Sequence, residues 1–220
     1  MTWVKICGMT NLEDALVAVE AGADAVGFVF YEKSPRNISI EAAREIVEKL
    51  PERVEKVGVF VNEQEYSICT IAEEARLTGV QMHGNDEDPH VADLVVSRLP
   101  RLRIFAAVSM RHANPAGCAS AWDPDVVSAF LIDSGTPSKL GGTGEAFDWR
   151  ASVETVNGIK RFGKLALAGG LTAQNVGEAI GILKPWGVDV VSGVETRPGK
   201  KDPEKVRAFV KAVRDAESGG

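Results

Sequence analysis

Short apolar runs alternate along the chain with longer stretches in which apolar residues recur every three or four positions. The runs WVKIC (3–7), DAVGFVF (24–30), VEKVGVFV (54–61), GVQMH (79–83), LRIFAAV (102–108), SAFLID (128–133), KLALA (164–168) and VDVVS (188–192) are rich in Val, Ile and Phe. Gly, Pro or polar residues bound most of them, as expected of strands buried on both faces. Helical periodicity fills the intervals 12–21, 40–50, 65–77, 88–99, 173–184 and 203–216, with a weaker segment at 150–161. Asn11 and Ser39 stand where helix caps belong, and Pro51 follows the second helix. The stretch 109–127 carries Asn114-Pro115 and Asp123-Pro124 and reads as irregular, with one short helix. The tail ESGG (217–220) is expected to fray.

Eight strands alternate strictly with seven or eight helices, at a mean repeat of about 27 residues, enough for a βα unit. A doubly wound sheet and a closed (β/α)8 TIM barrel compete for such a pattern. Eight units in a compact chain favour the barrel, and ICGMTN after the first strand is no dinucleotide-binding fingerprint. CGMTNLEDAL…AGADAVGF near the start is echoed by GGLTAQNVGEAI…WGVDVVSG near the end. A repeated unit at both ends suits a ring whose eighth strand closes beside the first. The expectation is therefore α/β class, one (β/α)8 barrel domain over residues 1–220. Only 134–149 is a long connection without a periodic pattern, the usual form of a lid or binding loop.

Composition narrows the function. The 220 residues are 45% hydrophobic and 25% charged, with a net charge of −6. A mildly acidic chain without basic runs is a poor partner for nucleic acid or for an anionic membrane surface. No apolar run approaches the roughly 20 residues of a membrane span, and MTWVKICGMT does not read as a signal peptide. Cys7, Cys69 and Cys118 are an odd, widely spaced set, which points to a reducing compartment. The expected location is cytoplasmic. His83, His90 and His112 form no metal-binding motif.

In a barrel, reactive groups gather at the carboxyl ends of the strands. Here those ends hold Cys7, Ser34-Pro35-Arg36, Asn62, His83-Gly84, Ser109, Asp133, Ala168-Gly169-Gly170 and Ser192-Gly193. Cys7 and Asp133 come from different strands and are candidates for divided acid and base roles. Cys7 also fits a small buried hydrophobe, and Asp133 a loop cap. The glycines after strands seven and eight, Gly170 and Gly193 with Ser192, suit a phosphate site of backbone amides, or simply tight turns. Arg36 suits bidentate capture of a carboxylate or phosphate, or a solvated surface position. His83 is a candidate lining residue, and Gly142 in GGTG (141–144) a lining or hinge glycine. Glu195 and Arg197 read as loop salt-bridge formers, and Cys69 and Cys118 as inert. Lys5 and Asp189 are charges inside short strands that close the ring, so a buried structural ion pair low in the barrel is expected between them.

The motifs VKICGMTNLEDA (4–15), GADAVGFVFYEKSPRNIS (22–39), VGVFVN (57–62), VQMHG (80–84), LIDS (131–134), GGTGEAFDW (141–149), LAGGLTAQNV (167–176) and VDVVSGVETRPGKKD (188–202) resemble the phosphoribosylanthranilate isomerase family over essentially the whole chain. Met82 stands where that family usually has Leu, and the loop after LIDS is longer than expected. The resemblance implies a (β/α)8 barrel that catalyses an Amadori rearrangement in tryptophan biosynthesis. It implies Cys7 as general base, Asp133 as general acid, Arg36 on the anthranilate carboxylate, and Gly170, Ser192 and Gly193 at the phosphate. It implies no cofactor and no metal; the partner is a small-molecule sugar phosphate, with neither nucleic acid nor membrane, and the assembly a monomer or homodimer. Competing readings are another sugar-phosphate barrel, such as the aminoaldose isomerase of histidine biosynthesis or indole-glycerol-phosphate synthase, and a non-catalytic sugar-phosphate-binding barrel.

Overall fold

A computed structural model describes residues 1–84, 89–134 and 146–218. In chain order the elements are β1 (Trp3–Cys7), α1 (Leu12–Ala21), β2 (Ala25–Phe30), α2 (Ile40–Val47), β3 (Glu55–Val61), α3 (Glu65–Glu74) and β4 (Gly79–His83). They continue with α4 (Pro89–Arg98), β5 (Arg103–Ser109), α5 (Pro115–Ser120), β6 (Val127–Asp133), α6 (Val153–Ile159) and β7 (Leu165–Leu167). After α7 (Val176–Leu183) and β8 (Gly187–Val190) come a 3-10 turn (Ser192–Val194), a small hairpin of β9 (Glu195–Arg197) and β10 (Lys200–Lys201), and α8 (Pro203–Ser218).

Strands β1 to β8 pair in parallel, each with the next, and β8 returns to β1 to close the barrel. Lys5 lies level with Asp189 across that closing seam, and with Ala25 across the next. The sequence expectation of a closed ring holds. Helix starts follow local chemistry: the Asn11 side chain accepts from the Asp14 N–H at 2.9 Å, and the Ser39 hydroxyl from Ala42 at 3.2 Å. Five helices, α2, α3, α4, α6 and α7, are shorter than their periodicity implies, and for α3 and α7 the cause is local. α3 stops at Glu74 because Arg76 turns into the left-handed region. α7 starts only at Val176, because the Asn175 side chain folds back onto Gly170 and Thr172. At the other extreme α8 runs through Glu217 and Ser218, where the sequence reads as a fraying tail, and Glu217 accepts from the Thr2 amide. Residues 219–220 lie outside the described residues. The β9–β10 hairpin and the 3-10 turn were not expected from the pattern.

Alternation splits the strand residues into two cores. Outward residues such as Ile6, Phe28, Ile104 and Phe130 are fully buried under the helices, where Phe209 of α8 joins them. Inward residues Trp3, Ala25, Val57, Phe105, Ala129, Leu131 and Ala166 fill the lower barrel. Above that plug the interior becomes polar.

Candidate active site

Three inward residues of β1 mark three levels: Trp3 at the bottom, Lys5 in the middle and Cys7 at the mouth. At the middle level Lys5 is 1% exposed, and its Nζ donates to Asp189 Oδ1 at 2.8 Å and to Gln81 Oε1 at 2.9 Å. The expected buried ion pair is present, above the apolar plug rather than low in the barrel, and β4 contributes a third member, Gln81, that the sequence reading did not include.

At the mouth a pocket of about 90 Å³ is lined by residues that include Cys7, Arg36, Gln81, His83, Asp133 and Asp189. Cys7 and Asp133 thus face one space although they come from β1 and β6. Burial pushes the Cys7 thiol up, against the opposing pull of Lys5 and Lys201. Burial holds the His83 imidazole below its ordinary value, outweighing the opposite effect of Asp133, so at neutral pH it is an uncharged ring.

Arg36 reaches the same pocket from the loop after β2. Its guanidinium is already gripped on one edge: Nε donates to Glu195 Oε1 at 2.9 Å and Nη2 to Glu195 Oε2 at 2.7 Å. The sequence reading of a salt-bridging Glu195 is right, and it modifies the reading of Arg36. One bidentate face belongs to Glu195, which leaves the Nη1 side for any further partner. Glu195 also accepts from Lys201 Nζ at 3.0 Å, and Lys201 donates to the Cys7 carbonyl at 2.5 Å. Burial pushes the Glu195 carboxyl up, but Arg36 and Lys201 outweigh it and leave it below the usual carboxylate range. The hairpin therefore ties Arg36 to the end of β1. Arg197, by contrast, is exposed and pairs with no acid among the described residues.

On the other side Asp133 also lines a second cleft, formed by Gly169, Gly170, Ser192 and Gly193 after β7 and β8. Gly169 has φ +82°, and a Cβ there would stand 3.1 Å from Asp133 Oδ1 and closer still to Ser134. A Cβ on Gly193 would collide with the Leu171 carbonyl oxygen. Among the described residues the amides of Gly170, Ser192 and Gly193 donate to no protein acceptor. Unpaired N–H groups converging on a cleft suit an anion.

Of the other candidates, Gly142 lies outside the described residues. Cys69 is buried in α3 beside Glu65, and burial pushes its thiol to about 11. Cys118 lies 3.2 Å from His112 Nδ1, away from the pocket residues, and burial pushes its thiol up as well. No group of three or more His, Cys, Asp or Glu among the described residues is arranged to hold a metal ion. No described helix is long and apolar enough to cross a membrane.

The family model for N-(5'-phosphoribosyl)anthranilate isomerase matches residues 4–212. The chain belongs to this family. An N-(5'-phosphoribosyl)anthranilate isomerase of Citrifermentans bemidjiense is 48% identical over 210 residues, 96% of each chain, and one from a Geobacter species is 49% identical over 211. The crystal structure of phosphoribosylanthranilate isomerase from Thermotoga maritima superposes with a TM-score of 0.86 at 42% identity, over 98% of this chain and all of that one. A phosphoribosylanthranilate isomerase in complex with reduced 1-(o-carboxyphenylamino)-1-deoxyribulose 5-phosphate superposes at 0.83 with 40% identity, over the same shares. The closed eight-stranded barrel described above is thus shared with solved members of the family.

Proposed function

We propose that the chain isomerises N-(5'-phosphoribosyl)anthranilate to 1-(o-carboxyphenylamino)-1-deoxyribulose 5-phosphate, an Amadori rearrangement, in the tryptophan biosynthesis of the cytoplasm. The observation that carries this reading is the placement of Asp133. It lines both the pocket that holds Cys7 and Arg36 and the cleft of Gly170, Ser192 and Gly193. A substrate with a carboxylate at one end and a phosphate at the other spans the two spaces with its sugar between Cys7 and Asp133.

The chemistry follows from those positions. Asp133 in its acid form gives a proton to the ring oxygen, the bond from C1 to that oxygen breaks, and the nitrogen lone pair forms a protonated imine. The imine acidifies the hydrogen on C2, and the Cys7 thiolate takes it, leaving an enolamine. The enolamine's hydroxyl proton is lost as C1 gains one, giving the ketone. The proton on Cys7 then returns to Asp133 through solvent, so the net change is isomerisation alone. Arg36 holds the anthranilate carboxylate and the glycine amides hold the phosphate, which fixes the reacting carbon between acid and base. The partner is this sugar phosphate, and the assembly is a monomer or homodimer.

The loss of phosphoribosylanthranilate fluorescence on mixing with the protein tests the reading. Turnover in wild type and its absence in Cys7→Ala and Asp133→Asn is the expected result. Phosphate binding without turnover in wild type would make the chain a sugar-phosphate-binding barrel instead.

A further inference from the structure

Barrel interiors are filled mainly by bulky branched apolar side chains. The middle level here instead carries Lys5, Asp189 and Gln81, all buried. As a stabilising device this is a poor choice, since a buried pair pays for desolvation that packed apolar residues avoid. The neighbour above supplies another reason for it. Lys5 and Cys7 share the inward face of β1, two residues apart, so the ammonium lies one level below the sulfur and acts on it through its charge. An ammonium has three N–H donors. Asp189 and Gln81 take two of them, from opposite sides of the barrel.

We propose that Lys5 is a positioning residue for Cys7: Asp189 and Gln81 fix its ammonium so that its charge faces the sulfur and favours the thiolate over the thiol. The inference rests on the reading of Cys7 as base for its catalytic consequence, but its effect on the sulfur is separately measurable. The charges around the sulfur support the choice of Lys5. Arg36 and Lys201 share the single carboxylate of Glu195, so Lys201 still pulls on the sulfur, though less than Lys5, and His83 is an uncharged ring. Asp133 faces the pocket from β6, and Asp189 opposes the thiolate from β8. Burial is the largest influence on the thiol and raises it, and Lys5 is the largest opposing one. Burial also works against the Lys5 ammonium, but Asp189 and Cys7 outweigh it, so Lys5 stays charged.

The test titrates the Cys7 thiolate by its ultraviolet absorbance in a Cys69→Ala/Cys118→Ala background, where it is the only thiol. Lys5→Met paired with Asp189→Leu removes both charges and leaves none uncompensated. The midpoint is expected to rise by about one pH unit or more, and the acid limb of the kcat/KM profile to move with it. Lys5→Arg should restore most of the shift. A folded double variant with the wild-type midpoint would overturn the proposal and leave Lys5 as packing. Gln81→Leu supplies a second arm: with both charges kept and one anchor of the ammonium gone, the midpoint should rise by less than in the double variant, and a midpoint that stays or falls also overturns it. If instead Cys7→Ala keeps its turnover, the assignment of the base fails, whatever the titrations give.

Discussion

At the amino-terminal end of the barrel, Trp3 stacks on Phe105 at 5.5 Å and on Trp186 at 5.0 Å, and the Arg103 guanidinium lies over Phe105 and Trp186. At the carboxyl end the same strands present Cys7, Ser109 and Asp133, and the loops beyond them present glycine. β1 alone passes from one regime to the other within Trp3, Lys5 and Cys7. The lower end fills space: its aromatic rings bury large areas and its cations sit on ring faces. The upper end leaves space, and it spends its polar groups on holding other polar groups in place. A barrel separates these tasks because its strands are parallel, so one end can be packed while the other is varied.

The sharpest division is expected from one substitution at each end. Cys7→Ala removes the general base without opening a large cavity, so kcat should fall by about 10²–10⁴-fold or more while the unfolding midpoint barely moves. Phe105→Ala removes a fully buried ring from the plug and should cost about 3–5 kcal/mol of stability. Below its lowered Tm it should keep kcat/KM near wild type. Denaturant unfolding and steady-state kinetics on both variants check the pair. A Phe105→Ala enzyme that is stable but inactive would show that the plug sets the geometry of the mouth.

The two ends were also unequally legible. The eight strands could be read because parallel strands buried on both faces leave Val, Ile and Phe runs with little ambiguity. Lys5 and Asp189 could be paired because a charge inside such a run has few places to go. The mouth was legible as a set of strand-end residues, but not as a network. Arg36 announces a guanidinium at the mouth, yet its partner Glu195 lies 159 residues away. Glu195 itself sits in a hairpin whose strands are three and two residues long and carry no periodic signal. That hairpin exists because Glu195 and Lys201 are bonded to Arg36, Cys7 and Val191, which are tertiary contacts. Gln81 was hidden for the same reason: only the closed ring brings β4 across the barrel from the seam of β8 and β1.

Within the mouth, the carboxylate end and the phosphate end should separate. Arg36→Met removes one charge-assisted contact, worth about 1.5–3 kcal/mol, so affinity for a product analogue should fall roughly 10–100-fold. Inorganic phosphate should bind as before, because its amide donors are on the other side of Asp133. Isothermal titration of both ligands decides it, and an equal loss of the two would merge the ends into one site. A bulky residue at Gly193 should weaken both ligands, since it displaces Leu171 and the cleft with it.

The smallest expected effect is the response of the two ends to acid, and it has opposite signs. At the mouth Glu195 is held below the ordinary carboxylate range by Arg36 and Lys201, despite its burial. Its ionised form therefore stabilises the fold at neutral pH, and that contribution is lost as pH falls through its folded value, below 4.5. At the lower end Glu55 is raised above 4.5 by burial, which outweighs the opposing effect of Arg103. Its protonated form is favoured by folding, so its ionisation costs stability as pH rises through the folded value. Glutamine titrates in neither state. On acidification from pH 7 to well below 4.5, the stability of Glu195→Gln relative to wild type should therefore improve, mostly below 4.5, and that of Glu55→Gln should worsen, mostly above it. Urea unfolding of the three proteins across that interval reads both slopes. Parallel slopes would mean that the two carboxylates feel the same environment, and the division between a packed end and a polar, charge-paired end would not extend to their electrostatics.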